Sequence, residues 1–350
     1  MTSLPSIDVV IPVYNAPELT LRCIDSVVTC LGNTIGHVYI QDDASGDKMR
    51  RMLDQLPYQK MHVHHAEQNQ GFGLSVNAAI KRSDASYVLV LNSDTVVSEN
   101  FLPMLCASLE ADPLLAVVIP NGNDYARHDL EQYQRRLGGY IETHRLQGHA
   151  FLIRRDVFEE VGGFDPAFGR GYYEDVDLGR RLNQRGWRLG VHPDAIIQHK
   201  GGGSFGRGRS FRELVRRNRS LYFSRYPDAC RNVLLLSGNW TLTQFPSSLR
   251  EMLESVFKKG GYVHWLTPDP SQPLPCLQMR SNSPRLGAAF SLLMRGWRPD
   301  KRISEVWVLP GVSRLLRASI IFWAGIRGLK VLSWERAETI PDCTPKLLRP

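Results

Sequence analysis

Four carboxylate sites and one histidine carry side chains that could do chemistry together: Asp42 with Asp43, Asp94, Asp165, Glu174 with Asp175 and Asp177, and His199. Each carboxylate site follows an apolar run or precedes a helical pattern. Groups placed beyond strand ends of an α/β sheet can converge on one crevice. Asp94 is the sharpest of them. It sits in the polar tip Asn92-Ser93-Asp94-Thr95 of the stretch YVLVLNSDTVV, Tyr87 to Val97. The apolar run before the tip reads as a strand buried on both faces of a parallel sheet. A carboxylate at its end faces a crevice, and a cation is its natural companion there. Asp94 is therefore read as the seat of a divalent metal that holds a diphosphate. A metal there would neutralise charge developing on a departing phosphate oxygen. A second carboxylate, ionised at neutral pH, could take a proton from an attacking hydroxyl.

The elements that must position these groups alternate along the chain. Ile7 to Val13, IDVVIPV, predicts a first buried strand, and Pro17 and Glu18 suit the opening turn of a helix over about Leu19 to Cys30. Strands are expected at His37 to Ile40 and Met61 to His64. The turn Asn69 to Gly73 leads into a helix from Leu74 to Lys81. After the Asp94 tip come a helix over Phe101 to Glu110 and a strand over Leu115 to Ile119. Residues 120 to 147 are polar and read as an excursion at the edge of the site. A strand over His149 to Ile153 and a helix over Asp156 to Val161 follow, stopped by Gly162-Gly163. Glu174-Asp175 open a helix that runs through Gln184, and Trp187 to Val191 is a strand. His199 to Arg209 is a glycine- and arginine-rich loop before a basic helix, Phe211 to Arg225. This alternation argues for a doubly wound parallel sheet.

Composition changes near Tyr226-Pro227, and from Asn232 a strand–helix–strand rhythm restarts through NVLLLSG, YVHWL, EVWVL and KVLSW. The expected division is a larger domain over residues 1–228 and a smaller α/β accessory unit over 229–350, similar to part of a nucleotide-sugar domain. With 350 residues, 43% of them hydrophobic and 22% charged, a disordered chain is excluded. The net charge of +8 suits an anionic ligand, an acidic membrane surface or nucleic acid, and does not choose between them. Six cysteines without a C-x-x-C pair carry no zinc or redox signature. With no secretory leader in view, free thiols in a reducing cytoplasm are expected.

Taken in order, the motifs IPVYN, QDDASGD, NQGFGLSVNAAI, LNSDT, GHAFLIRRDVFEEVGGFD, YYEDVDLGRRL and HKGGGS resemble the family 2 inverting glycosyltransferases of the GT-A fold, over about residues 5 to 225. The bacterial rhamnosyltransferase-like branch is closest in style, through its N-x-D-T tip. The resemblance implies a mainly parallel sheet flanked by helices. It also implies transfer of a sugar from a nucleotide-diphosphate sugar to a saccharide or lipid-linked saccharide, in polysaccharide or cell-surface glycan synthesis. Pro12, Tyr14, Asp42 and Asp43 would hold the nucleotide. Asn69, Asn77, Ser93 and Asp94 would line the donor pocket, and Arg207 would reach the diphosphate. Asp94 would bind Mn2+ or Mg2+ with His199 as second ligand. Asp175 would be the base, with Glu174 beside it, and Gly148, His149 and Glu174 would face the acceptor. One departure stands out: Asn92 occupies a position where the family often has Asp, so metal dependence is expected to be modest.

Blander readings stand beside these. Asp94 could cap a turn, and Glu174, Asp175 and Asp177 could be first-turn acids favoured by the helix dipole. His199 could be an ordinary histidine. Gly201 to Gly206, GGGSFG, matches G-x-G-x-x-G but lacks the βαβ setting that a dinucleotide fingerprint needs. It is read as a flexible loop over the diphosphate, with Arg207 and Arg209 as phosphate partners, and a nicotinamide oxidoreductase ranks last. Arg212, Arg216, Arg217 and Arg219 read as a solvated face. A second class of function is a nucleic-acid-binding or membrane-adaptor protein on an inactive transferase fold. Under the leading reading no nucleic acid is expected. Peripheral contact with the inner face of the membrane suits the Trp- and Arg-rich region Trp297 to Trp334, with Leu315 to Ile326 read as a core helix.

Overall fold

The computed structural model describes residues 5–126, 128–200, 208–294, 301–334 and 346–348. Two compact units divide the chain: residues 1–130 with 135–222, and residues 131–134 with 223–350.

The first unit begins with β1 (Ile7–Val13), every residue of which is buried. In α1 (Pro17–Leu31), Pro17 fits the first turn, and Thr20, Cys23, Ile24, Val27 and Leu31 form the inward stripe. Then come β2 (Val38–Asp42), α2 (Asp47–Asp54), β3 (Met61–His65), α3 (Phe72–Ile80), β4 (Tyr87–Leu91) and β5 (Thr95–Val97). They are followed by α4 (Leu102–Ala111), β6 (Leu115–Asn121), β7 (Ile141–Thr143), β8 (Ala150–Arg154) and α5 (Arg155–Glu160). Last are α6 (Glu174–Gln184), β9 (Arg188–His199) and α7 (Arg209–Arg225). The sheet runs β3-β2-β1-β4-β8-β6-β9-β5, and β7 pairs with β9.

The stretch β3-β2-β1-β4 is parallel, as the alternation predicts. Beyond β4 the sheet departs from it, because β8 is antiparallel to both β4 and β6. The reversal has a physical source. The chain between β6 and β8 is not a crossover helix but the polar stretch 122–149, which returns through β7. The expected short strand at Trp187 to Val191 is one long strand, β9, which reaches His199 across a register shift opposite Pro120 and Asn121.

The second unit contains β10 (Asn232–Leu236), α8 (Ser247–Lys258), β11 (Tyr262–Leu266), β12 (Met279–Asn282), α9 (Leu286–Leu293), β13 (Glu305–Val308), α10 (Arg314–Ile326), β14 (Lys330–Ser333) and β15 (Lys346–Leu348). Its order is β12-β11-β10-β13-β14-β15, parallel except for β15. That is a doubly wound arrangement with its switch between β10 and β13. Strand β12 lies within a proline-rich stretch, Pro268 to Pro284, where the sequence carries no strand pattern.

Glycine is required where the turn before α3 meets the loop before α6. Gly71 has φ +92°, and a Cβ there would lie 2.3 Å from the Arg170 Cα. Its N–H and that of Gln70 donate to the two carboxylate oxygens of Asp43, at 2.8 and 2.7 Å. Gly71→Ala is expected to cost about 2–4 kcal/mol, combining left-handed strain with overpacking. Urea unfolding of the variant beside wild type checks this, and an unchanged midpoint would refute the contact.

Candidate active site

Strand register brings the site together. The tip 92–94 follows β4, and β5 pairs antiparallel with β9 so that Thr95 faces His199. The Lys200 N–H donates to the Asp94 carbonyl at 3.1 Å. Asp94 Oδ1 then lies 3.3 Å from His199 Nε2. On the other side β4 pairs with β8, Leu91 opposite Ala150, and the Asn92 N–H donates to the His149 carbonyl at 2.8 Å. The His149 and His199 rings stack at 4.9 Å, with 12° between their planes.

Asp175 enters from the first turn of α6. Its Oδ2 accepts from the Gly148 N–H at 3.0 Å, and its Oδ1 from the Val176 N–H at 2.8 Å. A Cβ on Gly148 would lie 3.2 Å from the Asp175 Cβ, so the space that Gly148 leaves is taken by this aspartate. Glu174, 8% exposed, has Oε2 buried without a hydrogen-bond partner. Burial, then the charge of Asp175, pushes the Glu174 carboxyl up to about 8. Burial raises Asp175 as well, opposed by the Arg145 cation and by backbone N–H donors.

These groups face one cavity of about 690 Å³, whose lining includes Asp94, His199, Glu174, Asp175 and Arg145. Pro12, Tyr14, Asp43, Asn69, Ser93, Gly148 and His149 line it too. Asp42, Asn77, Asp165, Asp177 and Arg209 do not. Asp42 is fully buried behind the wall, with Oδ2 2.6 Å from His65 Nδ1 and Oδ1 accepting from the Ser45 N–H. Asn77 spends its amide on the backbone of Phe164, donating to the carbonyl at 2.8 Å and accepting from the N–H at 2.9 Å. Both are placed as supports for lining segments. Asp165 caps a short turn through the Ala167 N–H, and Asp177 pairs with Arg181 at 2.7 Å. Arg209 pairs with Glu213 along its own helix. Arg207 and the GGGSFG stretch lie outside the described residues.

Among the described residues no group of three or more His, Cys, Asp or Glu side chains could hold a metal. The Asp94–His199 pair nevertheless offers one carboxylate oxygen and one imidazole nitrogen at the cavity wall. Asn92, also on the wall, has Oδ1 buried without a partner. This donor set suits Mn2+ or Mg2+ only if further oxygens come from a ligand or water.

Arg145 and Asn218 carry weight that the sequence reading did not assign. Tyr172 and Tyr173 precede α6 with φ of +71° and +74°, strained for residues with side chains. Asn218, buried in α7, holds that loop: its Nδ2 lies 2.6, 2.7 and 3.1 Å from the carbonyls of Phe168, Gly171 and Tyr172. Phe211 packs edge-on against Tyr172 at 5.0 Å, and Tyr222 lies against Tyr173 at 5.5 Å. The basic helix is thus solvated on one face and clamps the Glu174 loop with the other. A lone amide in the apolar spacing Phe211, Val215, Asn218, Tyr222 is the available sequence signal. Arg145, in the polar excursion, has none.

The first unit has the GT-A fold. The mannosyltransferase PcManGT from Pyrobaculum calidifontis, solved in complex with GDP-Man and Mn2+, superposes with a TM-score of 0.51 at 18% identity, covering 64% of each chain. The sequence matches the profile of glycosyl transferase family 2 over residues 8–162 and that of glycosyl transferase family group 2 over residues 87–268, more than half of the chain. This protein belongs to the family 2 glycosyltransferases. It is 40% identical over 83 residues to the N-acetylglucosaminyl-diphospho-decaprenol L-rhamnosyltransferase of Mycobacterium tuberculosis, 24% of this chain and 25% of that one. It is 27% identical over 207 residues to the pre-mycofactocin glycosyltransferase of the same species, 55% of this chain and 42% of that one. The chain therefore spans a quarter to under half of the length of these relatives.

Asn218→Leu removes the amide that gathers the carbonyls of Phe168, Gly171 and Tyr172 and is expected to cost about 1–3 kcal/mol. It should lower sugar transfer more than nucleotide-sugar affinity, because Asp94 is held by the sheet; comparing kcat with donor Kd reads this. Glu174 keeps its proton in the folded chain up to about pH 8, against an ordinary value of 4.5 when unfolded. Its contribution to stability is therefore present below pH 4.5 and lost as pH rises toward 8. Melting temperatures from pH 5 to 9 should fall less steeply for Glu174→Gln than for wild type; parallel curves would contradict the assignment.

Proposed function

We propose that this protein is an inverting glycosyltransferase that moves a sugar from a nucleotide-diphosphate sugar to a saccharide or lipid-linked saccharide acceptor. The observation that carries the reading is the convergence of Asp94 and His199 with Glu174 and Asp175 on one cavity. The rhamnosyltransferase relative, named for a diphospho-decaprenol substrate, supports a lipid-linked acceptor.

In this reading Pro12, Tyr14 and Asp43 take the nucleoside, and Asn69 and Ser93 meet the donor sugar. Asp42 and Asn77 act from behind by holding His65 and Phe164. Asp94 and His199 would hold a divalent cation, which supplies charge neutralisation for the diphosphate leaving group. Asp175, whose carboxyl burial pushes above its ordinary range, accepts the proton of the acceptor hydroxyl. The hydroxyl oxygen forms the new bond to the anomeric carbon as the carbon–oxygen bond to the diphosphate breaks. The electron pair leaves with the nucleoside diphosphate, and attack from the opposite face inverts the anomeric centre. Burial and the neighbouring Asp175 charge favour the protonated form of Glu174, so the two acids differ in character. A nucleic-acid adaptor would not need two buried acids facing a cavity.

The test is a thermal-shift screen of nucleotide sugars with Mn2+, followed by assay of transfer with the donor that binds. Wild type should be stabilised by a donor, and Asp94→Ala should lose most of that shift. Asp175→Asn should keep it while transfer falls by about 10²–10⁴-fold. Transfer at the parental rate by Asp175→Asn would remove it as the base.

A further inference from the structure

Six of the ten exposed large apolar side chains among the described residues lie on one pair of helices in the second unit. In α10, Leu316, Ile320 and Ala324 are buried, as a core helix requires. Yet Leu315, Phe322 and Ile326, on the opposite face, are 69%, 63% and 60% exposed. The same division runs along α9. Ala289, Leu292 and Leu293 point inward, while Leu286, Phe290 and Met294 are 43%, 43% and 51% exposed. A helix apolar on both faces normally has a second apolar medium to meet.

The two helices form one surface. Phe290 meets Trp323 edge-on at 5.2 Å, and Arg327 donates from Nη1 to the Leu293 carbonyl at 2.9 Å. The charge carried by the two helical segments has one sign. Residues 285–294 and 314–330 hold Arg285, Arg314, Arg317, Arg327 and Lys330 and no acid. Arg285, Arg314 and Lys330 are exposed. A second copy seated on this face by a two-fold axis would set these cations against one another. No described helix is long and apolar enough to cross a membrane, so the face could rest on a bilayer without spanning it.

We propose that the α9–α10 face docks on an anionic membrane surface, with its apolar side chains in the headgroup boundary and its arginines on lipid phosphates. This deepens the reading of a lipid-linked acceptor by naming the surface that would bring the protein to it. The experiment is sedimentation of the full chain with vesicles of phosphatidylcholine carrying about 25% phosphatidylglycerol, and with pure phosphatidylcholine vesicles. Wild type should partition at least about tenfold more strongly to the anionic vesicles. The double variant Phe322→Glu/Ile326→Glu should lose that binding, and Arg285→Gln/Arg314→Gln or raised salt should weaken it several-fold. If the glutamate pair lowers expression or melting temperature, Leu315→Ser/Phe322→Ser carries the same test. Equal sedimentation of wild type and variants, or none by wild type, would overturn the proposal. So would a dimer that the variants dissolve without any vesicle binding. No donor or acceptor is present, so this result and the donor-binding result can fail independently.

Discussion

Thr95 lies opposite His199 across the antiparallel β5–β9 pair, and that register seats Asp94 against an imidazole more than a hundred residues away in sequence. A slip of one residue would turn every side chain of the pair to the other face. The register is held from several sides. The Thr95 hydroxyl donates to the Asn92 carbonyl at 2.7 Å, and the Asn92 N–H donates to His149. Val97 on the same short strand is buried in the main core. A nearly buried carboxylate is costly unless something cationic or hydrogen-bonding meets it, and this bracket fixes where that partner must stand.

The acids at the other end are held by a different device. Glu174 and Asp175 follow two tyrosines in left-handed backbone conformations, which cost about 1–3 kcal/mol each. Gly71 fits under the loop on one side, and the buried amide of Asn218 gathers its carbonyls on the other. Further non-glycine residues with positive φ, Asn15, Ala16 and Ala44, follow β1 and β2, at the same strand ends as Tyr14 and Asp43. Strain is thus concentrated where the chain presents side chains to the cavity, and the surrounding sheet and helices stabilise it. The two halves of the site are separable in principle: one set by sheet register, the other by helix packing on a strained loop.

The second unit is built on a simpler rule. Except for β12, its parallel strands are built on short apolar runs, and its helices each bury one stripe. What distinguishes α9 and α10 is that their outward faces are apolar too, in segments 285–294 and 314–330 that hold basic residues and no acid. Composition alone places this region equally well in a core or at a surface; only the packing separates the two faces.

The strand–helix alternation, the family and the types of the cavity-facing residues are written in the sequence. Those features are local: apolar runs, turn glycines and acids at strand ends follow from a few neighbouring residues. Asp94, His199, Glu174 and Asp175 were all legible in this way. The antiparallel β8, the length of β9 and the strand in the proline-rich stretch were not, because they arise from pairings between distant segments. Nor were the supporting places of Asp42 and Asn77, the space that Gly148 leaves for Asp175, or the grip of Asn218. Each depends on which atoms a side chain meets in three dimensions. Two neighbouring aspartates, Asp42 and Asp43, look alike in the sequence, and only the tertiary structure turned one toward a histidine behind the wall and the other to the lining.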